Sequence, residues 1–176
     1  MRFVPTAIEG GTRVELEPIG DERGYFARTW CADEFRAHGL NPGLVQCSIS
    51  FNRKRGTLRG MHWQRGPWEE AKLVRCTRGR IYDVALDVRP GSPTRSRWIA
   101  MEMAPDDGTM LYIPEGVAHG FQTLEDDSEV SYQMSQRYHA EAAAGARWND
   151  PAFGIDWPLG VPILSPRDAA HPDFEP

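Results

Sequence analysis

Turns pace this chain closely enough to limit what it can fold into. Arg89-Pro-Gly-Ser-Pro93, Ala104-Pro-Asp-Asp-Gly108 and Glu125-Asp-Asp-Ser128 each gather residues that reverse a backbone, and each falls between runs too short for long helices. Within the runs the period is two: Tyr82, Val84, Leu86 and Val88 alternate with Asp83, Ala85 and Asp87. Strands are expected over Thr12–Glu17, Leu44–Phe51, Thr57–Gln64, Ala71–Thr77, Arg80–Val88, Arg97–Met103, Thr109–Ile113, Gly120–Leu124 and Glu129–Gln136. Many short strands at this spacing make a sandwich or barrel. One helix is expected, over Ala32–His38, with Phe35 on the core side and Gly39 as its stop. A short helical turn is expected at Glu141–Ala144. From Pro151 onward Pro, Asp and Gly accumulate, and the segment should wrap the surface.

The 176 residues show no repeat and no linker, so one domain over 1–176 is expected. No apolar run reaches the length of a membrane span and no leader pattern opens the chain, which fits a soluble cytoplasmic protein without a membrane partner. A net charge of −5 does not favour nucleic acid. Yet arginines gather between Arg53 and Arg80, and a local basic pocket suits a small anion such as a phosphate ester. Arg53, Lys54 and Arg55 lie in a turn and read as solvated. Cys31, Cys47 and Cys76 are odd in number and widely spaced, against a disulfide or zinc framework. Cys47 and Cys76 read as buried small hydrophobes.

The segment Gly56-Thr-Leu-Arg-Gly-Met-His-Trp-Gln64 sets Arg59 and His62 three residues apart in a strand, with Gly60 between them. If Gly60 kinks the strand, both side chains reach one cavity. A base beside a fixed cation is what proton abstraction next to a carbonyl requires. Gly108-Thr-Met-Leu-Tyr-Ile-Pro-Glu-Gly-Val-Ala-His119 reads as strand, Pro-x-Gly turn, strand, aiming His119 inward.

That second segment resembles a conserved motif of the cupin superfamily, a mainly β, double-stranded β-helix or jelly-roll barrel with few short helices. Gly56 through His62-x-Gln64 matches the other cupin motif in part. Gln64 stands where a metal-binding cupin carries a histidine, and an amide is a poor ligand for a transition metal. No metal and no cofactor are therefore expected.

A fuller resemblance runs along nearly the whole chain. Asp21-Glu-Arg-Gly-Tyr-Phe26, Leu58-Arg-Gly-Met-His-Trp-Gln64, Ala71-Lys-Leu-Val74, Ile113-Pro-Glu-Gly-Val-Ala-His-Gly-Phe121, Trp148-Asn-Asp-Pro151 and Ser165-Pro-Arg-Asp168 together look like the dTDP-4-dehydrorhamnose 3,5-epimerase family. The resemblance implies cofactor-free epimerisation at C3, C5 or both of a nucleotide-diphospho-4-keto-6-deoxy sugar, in dTDP-rhamnose biosynthesis. It implies His62 as base, Asp168 as the carboxylate that orients it, Lys72 at the enolate oxygen and Tyr132 as the acid on the opposite face. For substrate binding it implies Arg23 and Arg59 at the diphosphate, Phe26 and Tyr138 near the nucleotide, Gln46 as a polar contact and His119 near the sugar. It also implies a homodimer that exchanges N-terminal strands.

Two positions depart from the family pattern: Arg28 where a glutamate is usual, and Ser48 where an asparagine is usual. A donor-only guanidinium cannot accept the N–H of a thymine ring, so Arg28 and Ser48 are candidate specificity positions, and a CDP- or GDP-linked sugar or a single-centre reaction is an alternative. From another class, a cupin dioxygenase would need a metal on His62, His119 and a carboxylate such as Glu69. A non-catalytic sugar-binding cupin would not need His62, Lys72 and Tyr132 together.

Overall fold

The computed structural model describes residues 1–174. Its strands are β1 (Arg2–Pro5), β2 (Thr12–Glu15), β3 (Ile19–Asp21), β4 (Gly24–Phe26), β5 (Gln46–Asn52), β6 (Leu58–Gln64), β7 (Lys72–Arg78), β8 (Ile81–Asp87), β9 (Trp98–Met103), β10 (Thr109–Ile113), β11 (Val117–Thr123), β12 (Ser128–Met134) and β13 (Ala143–Gly145). Two short α-helices, α1 (Ala32–Ala37) and α2 (Pro166–Ala169), and a 3-10 turn at Pro105–Asp107 complete the regular elements of the described residues.

The strands form a six-stranded sheet in the order β1-β2-β10-β7-β12-β5 and a five-stranded sheet in the order β13-β6-β11-β8-β9. Every pairing within them is antiparallel. Between the sheets lies the main core. Val74, Cys76, Leu111, Ile113 and Val130 come from the larger sheet, and Ile81, Ala85, Met103, Val117 and Phe121 from the smaller. This is the mainly β jelly-roll architecture expected.

Each sheet is also covered over part of its outer face. Across the larger sheet, α1 lays Phe35 on Val14, Leu73, Met110 and Tyr112. Phe35 is buried and Gly39 ends the helix at φ +72°. Burying that ring contributes about 1.5–3 kcal/mol. Across the smaller sheet the chain beyond residue 150 seals Leu58, Met61, Val84 and Leu86 with Phe153 and Trp157. That segment builds a second core as well as wrapping the surface. Trp157 Nε1 donates to the Trp148 carbonyl at 2.8 Å, tying its two ends.

Three expectations need correction. Residues Ala143–Gly145 form a strand paired with β6, where a helical turn was expected. β11 begins at Val117, so His119 lies inside it rather than at its opening. Cys47 is exposed on the edge strand β5, while Cys76 is buried as expected. In addition, β3 and β4 form a separate hairpin whose Ile19, Tyr25 and Phe26 are all exposed.

Candidate active site

A cavity of about 400 Å³ opens between the two sheets. One wall is the smaller sheet, giving Arg59, His62, His119 and Phe121; the other is the larger, giving Ser48, Ser50, Lys72 and Tyr132. The C-terminal segment closes the rim with Ser165, Arg167 and Asp168.

Gly60 makes the first wall possible. Residues three apart on a regular strand face opposite ways. Here Arg59 pairs with Phe121 and His62 with His119, so the register shifts between them. That extra residue on β6 is a bulge, and it returns Arg59 and His62 to one face. Gly60 has φ +121°, and a Cβ there would sit 2.5 Å from the Gly120 Cα. No other residue fits that crossing of backbones.

Two histidine–aspartate pairs follow. His62 Nε2 lies 2.6 Å from Asp168 Oδ1, and the buried carboxylate is placed by α2, whose cap Ser165 accepts the Asp168 N–H. Burial disfavours the Asp168 charge, but the His62 hydrogen bond and charge outweigh it and hold the carboxyl below its ordinary value. His119 Nε2 lies 2.7 Å from Asp83 Oδ1, wholly inside the barrel. There burial dominates and pushes Asp83 up, with His119 pulling only partly back. The Asp83 Oδ2 has no hydrogen-bond partner.

On the facing wall, Lys72 and Tyr132 come from adjacent strands of one sheet, β7 and β12. Lys72 Nζ is 2.5 Å from Glu70 Oε1, and both residues are buried. Burial drives the Tyr132 hydroxyl upward, Asp83 adds to that, and Arg59 opposes it, so the phenol stays protonated. Its ring packs edge-on to His119 at 5.8 Å. Arg59 is steadied by Asn52, whose Oδ1 accepts from Nε at 2.7 Å. Tyr138 lines the cavity while remaining exposed, and Gln46 Oε1 accepts from its backbone N–H at 3.4 Å.

Not every residue singled out in the sequence arrives here. Arg23 pairs with Asp21 on the free hairpin, Phe26 is exposed beside it, and neither lines the cavity of its own chain. Arg28 turns to Glu34 at 2.6 Å, also away from the cavity, whereas Ser48 does line it. Glu69 is exposed and outside the lining, so it is not placed to share a metal with His62 and His119. Gln64 turns to the backbone instead: its Nε2 donates to the carbonyls of Trp68 and Arg137, and its Oε1 accepts from His139 N–H.

Sequence reasoning missed Glu70, Asp83 and Asn52. Glu70 had a usable signal, an acid two residues before an out-of-place lysine that opens an apolar strand. Asp83 had a weaker one, an acid inside an otherwise apolar strand.

A jelly-roll barrel with this cavity between its sheets is of cupin type, and its relatives make it a carbohydrate epimerase, an isomerase. Residues 5–176 match the family model of dTDP-4-dehydrorhamnose 3,5-epimerase, and the chain belongs to that family. It is 45% identical to the dTDP-4-dehydrorhamnose 3,5-epimerase of Sinorhizobium fredii, over 99% of this chain and 90% of that one. Its fold matches the crystal structure of the enzyme of that name from Elizabethkingia anophelis with TM-score 0.96 and 36% identity, covering 99% and 96% of the two chains. A Bacillus anthracis dTDP-4-dehydrorhamnose 3,5-epimerase with TDP and PPi bound matches with TM-score 0.94 and 34% identity, covering 98% and 99%. A 3'-monoepimerase from Streptomyces bikiniensis, in complex with dTDP-quinovose, matches with TM-score 0.88 and 34% identity, covering 96% and 86%.

Proposed function

We propose that this chain converts dTDP-4-dehydro-6-deoxy-D-glucose to dTDP-4-dehydro-L-rhamnose, inverting C3 and C5 without a cofactor. The observation that carries the reading is the opposition of His62 on one wall to Lys72 and Tyr132 on the other. A sugar ring between them has a base on one face and an acid on the other.

Because His62 Nε2 faces the Asp168 carboxylate, the ring proton belongs on Nε2 and the lone pair on Nδ1. Nδ1 takes the proton from the carbon beside the ketone. The C–H electron pair becomes the enolate double bond, and the ketone oxygen takes the negative charge. Lys72 holds that oxygen, and stabilising it is worth several kcal/mol in a site shielded from water. The Tyr132 hydroxyl then delivers a proton to the opposite face of the same carbon, and exchange with solvent resets both groups. Opposed environments suit the division of labour, with Asp168 kept charged and Tyr132 kept protonated. Arg59 takes the diphosphate, Tyr138 and Gln46 the nucleotide side, and His119 the sugar.

Arg23 and Phe26 act in the partner's cavity of a cytoplasmic homodimer. The exposed apolar hairpin Ile19–Phe26 supports this, as do Ile49 and Phe51, exposed on edge strand β5. The similarity to a 3'-monoepimerase supports a second reading, inversion at C3 alone.

Incubation with the dTDP-linked 4-keto sugar in heavy water, followed by NMR, tests both. Deuterium at C3 and C5 with net inversion is expected. Deuterium at C3 only selects the single-centre reading, and exchange at neither carbon for any nucleotide defeats both.

A further inference from the structure

Beside the His62–Asp168 pair stands a third potential ligand that the reaction does not use. His171 Nε2 is buried without a hydrogen-bond partner and lies 3.9 Å from Asp168 Oδ1. The ligand atoms of His62, Asp168 and His171 all lie within 4.8 Å of one another. Room for the third ring is built into the sheet: Gly145, directly opposite His62 in register, is where any side chain would strike the His171 imidazole.

We propose that His62, Asp168 and His171 form a binding site for a borderline divalent transition ion such as Zn²⁺, and that its occupancy switches the base off. Two imidazoles and a carboxylate are a ligand set suited to Zn²⁺. With bonds of about 2.0–2.1 Å, tetrahedral ligands sit about 3.3 Å apart. The observed separations from Asp168, 2.6 Å to His62 and 3.9 Å to His171, straddle that value. Moving the carboxylate away from His62 and toward His171 brings both separations to that value, and the two imidazoles, no more than 4.8 Å apart, close on the ion from either side. His119 and Asp83 have no such third partner among the described residues.

The switch follows from the imidazole's single proton. An ion on His62 Nε2 takes the lone pair there, so the neutral ring carries its hydrogen on Nδ1. Nδ1 is the atom that must accept a proton from the sugar, and it becomes a donor. Arg59 and Tyr138 are not ligands, so nucleotide-sugar binding continues while turnover stops.

The switching half rests on His62 as base; the binding half does not. The test uses the full-length protein freed of metal with a chelator. Co²⁺, read by visible absorption, reports binding, and Zn²⁺ reports inhibition. One Co²⁺ per chain with a tetrahedral spectrum is expected, displaced by Zn²⁺, with Zn²⁺ lowering kcat and leaving KM unchanged. His171→Gln, with His171→Asn as a second variant, should keep metal-free turnover, lose the Co²⁺ spectrum and need at least about tenfold more Zn²⁺ for the same inhibition. No stoichiometric Co²⁺ in the parent protein, or equal Zn²⁺ sensitivity in both variants, overturns the site. Stoichiometric binding that leaves kcat intact overturns the switch and the assignment of His62 as base.

Discussion

The molecule contains the same pair of side chains twice, and the two copies differ in almost everything but distance. His62–Asp168 and His119–Asp83 measure 2.6 and 2.7 Å, and the two histidines face each other across adjacent strands. The His62 ring is 42% exposed and its aspartate rides on a one-turn helix near the C-terminus; the other pair is sealed within the sheet. The hydrogen bond and charge of His62 outweigh burial and keep Asp168 charged. Burial works against the charge on Asp83 and keeps its pair a fixed, structural-looking unit. Identical pairs thus sit in opposed settings, which suits the division proposed for them, a base in one place and a strut in the other.

Replacing each histidine in turn gives the widest separation. His62→Ala should abolish deuterium incorporation, a loss of at least about 10²–10⁴-fold in turnover, whereas His119→Ala should retain measurable exchange. Equal losses would erase the distinction. Next, Tyr132→Phe should uncouple the two half-steps: NMR should show wash-out of substrate protons continuing while inversion falls, and unimpaired inversion would reassign the acid.

The aspartates should separate along a different axis. Asp168→Asn should lower kcat with little change in melting temperature. Asp83→Asn should move stability, by about 1–3 kcal/mol in denaturant titration, because it disturbs a buried hydrogen bond.

The smallest effect lies in the pH dependence of stability, and its sign differs between the pairs. Asp168 titrates lower folded than unfolded, so its contribution is complete above the unfolded value near ~3.9 and is lost as pH falls below it. Asp83 titrates higher folded than unfolded, so its penalty appears as pH rises through the same value. Melting curves should therefore show the parent protein gaining on Asp83→Asn upon acidification toward pH ~4 and losing ground to Asp168→Asn below it.

Much of the barrel was legible because the strands alternate and the turns are chemically explicit, as around β8, β9 and β10. β13 was not. Its alanines favour a helix in isolation, and only pairing with β6, far away in sequence, makes them a strand. Within the site, Gly60 announced its bulge, because a glycine between two functional residues has few other uses. His62, Lys72, Tyr132 and Asp168 could be picked out through family motifs, and the fold brings them around one cavity. Asp83 and His171 could not, since their meaning lies in partners supplied by other strands and by the C-terminal segment. Arg23 and Phe26 lie outside the cavity of their own chain.

Gln64 is a clasp as well as a substitute for a ligand. Its amide fastens the turn at Trp68 to the segment at Arg137 and His139, using both ends of the side chain. Changing it to histidine would offer an imidazole to the cavity and at the same moment release three backbone groups in a buried setting, at about 1–3 kcal/mol for each left unsatisfied. A metal ligand at this position therefore cannot be gained by one substitution, because the loops that Gln64 holds together would have to be redesigned first.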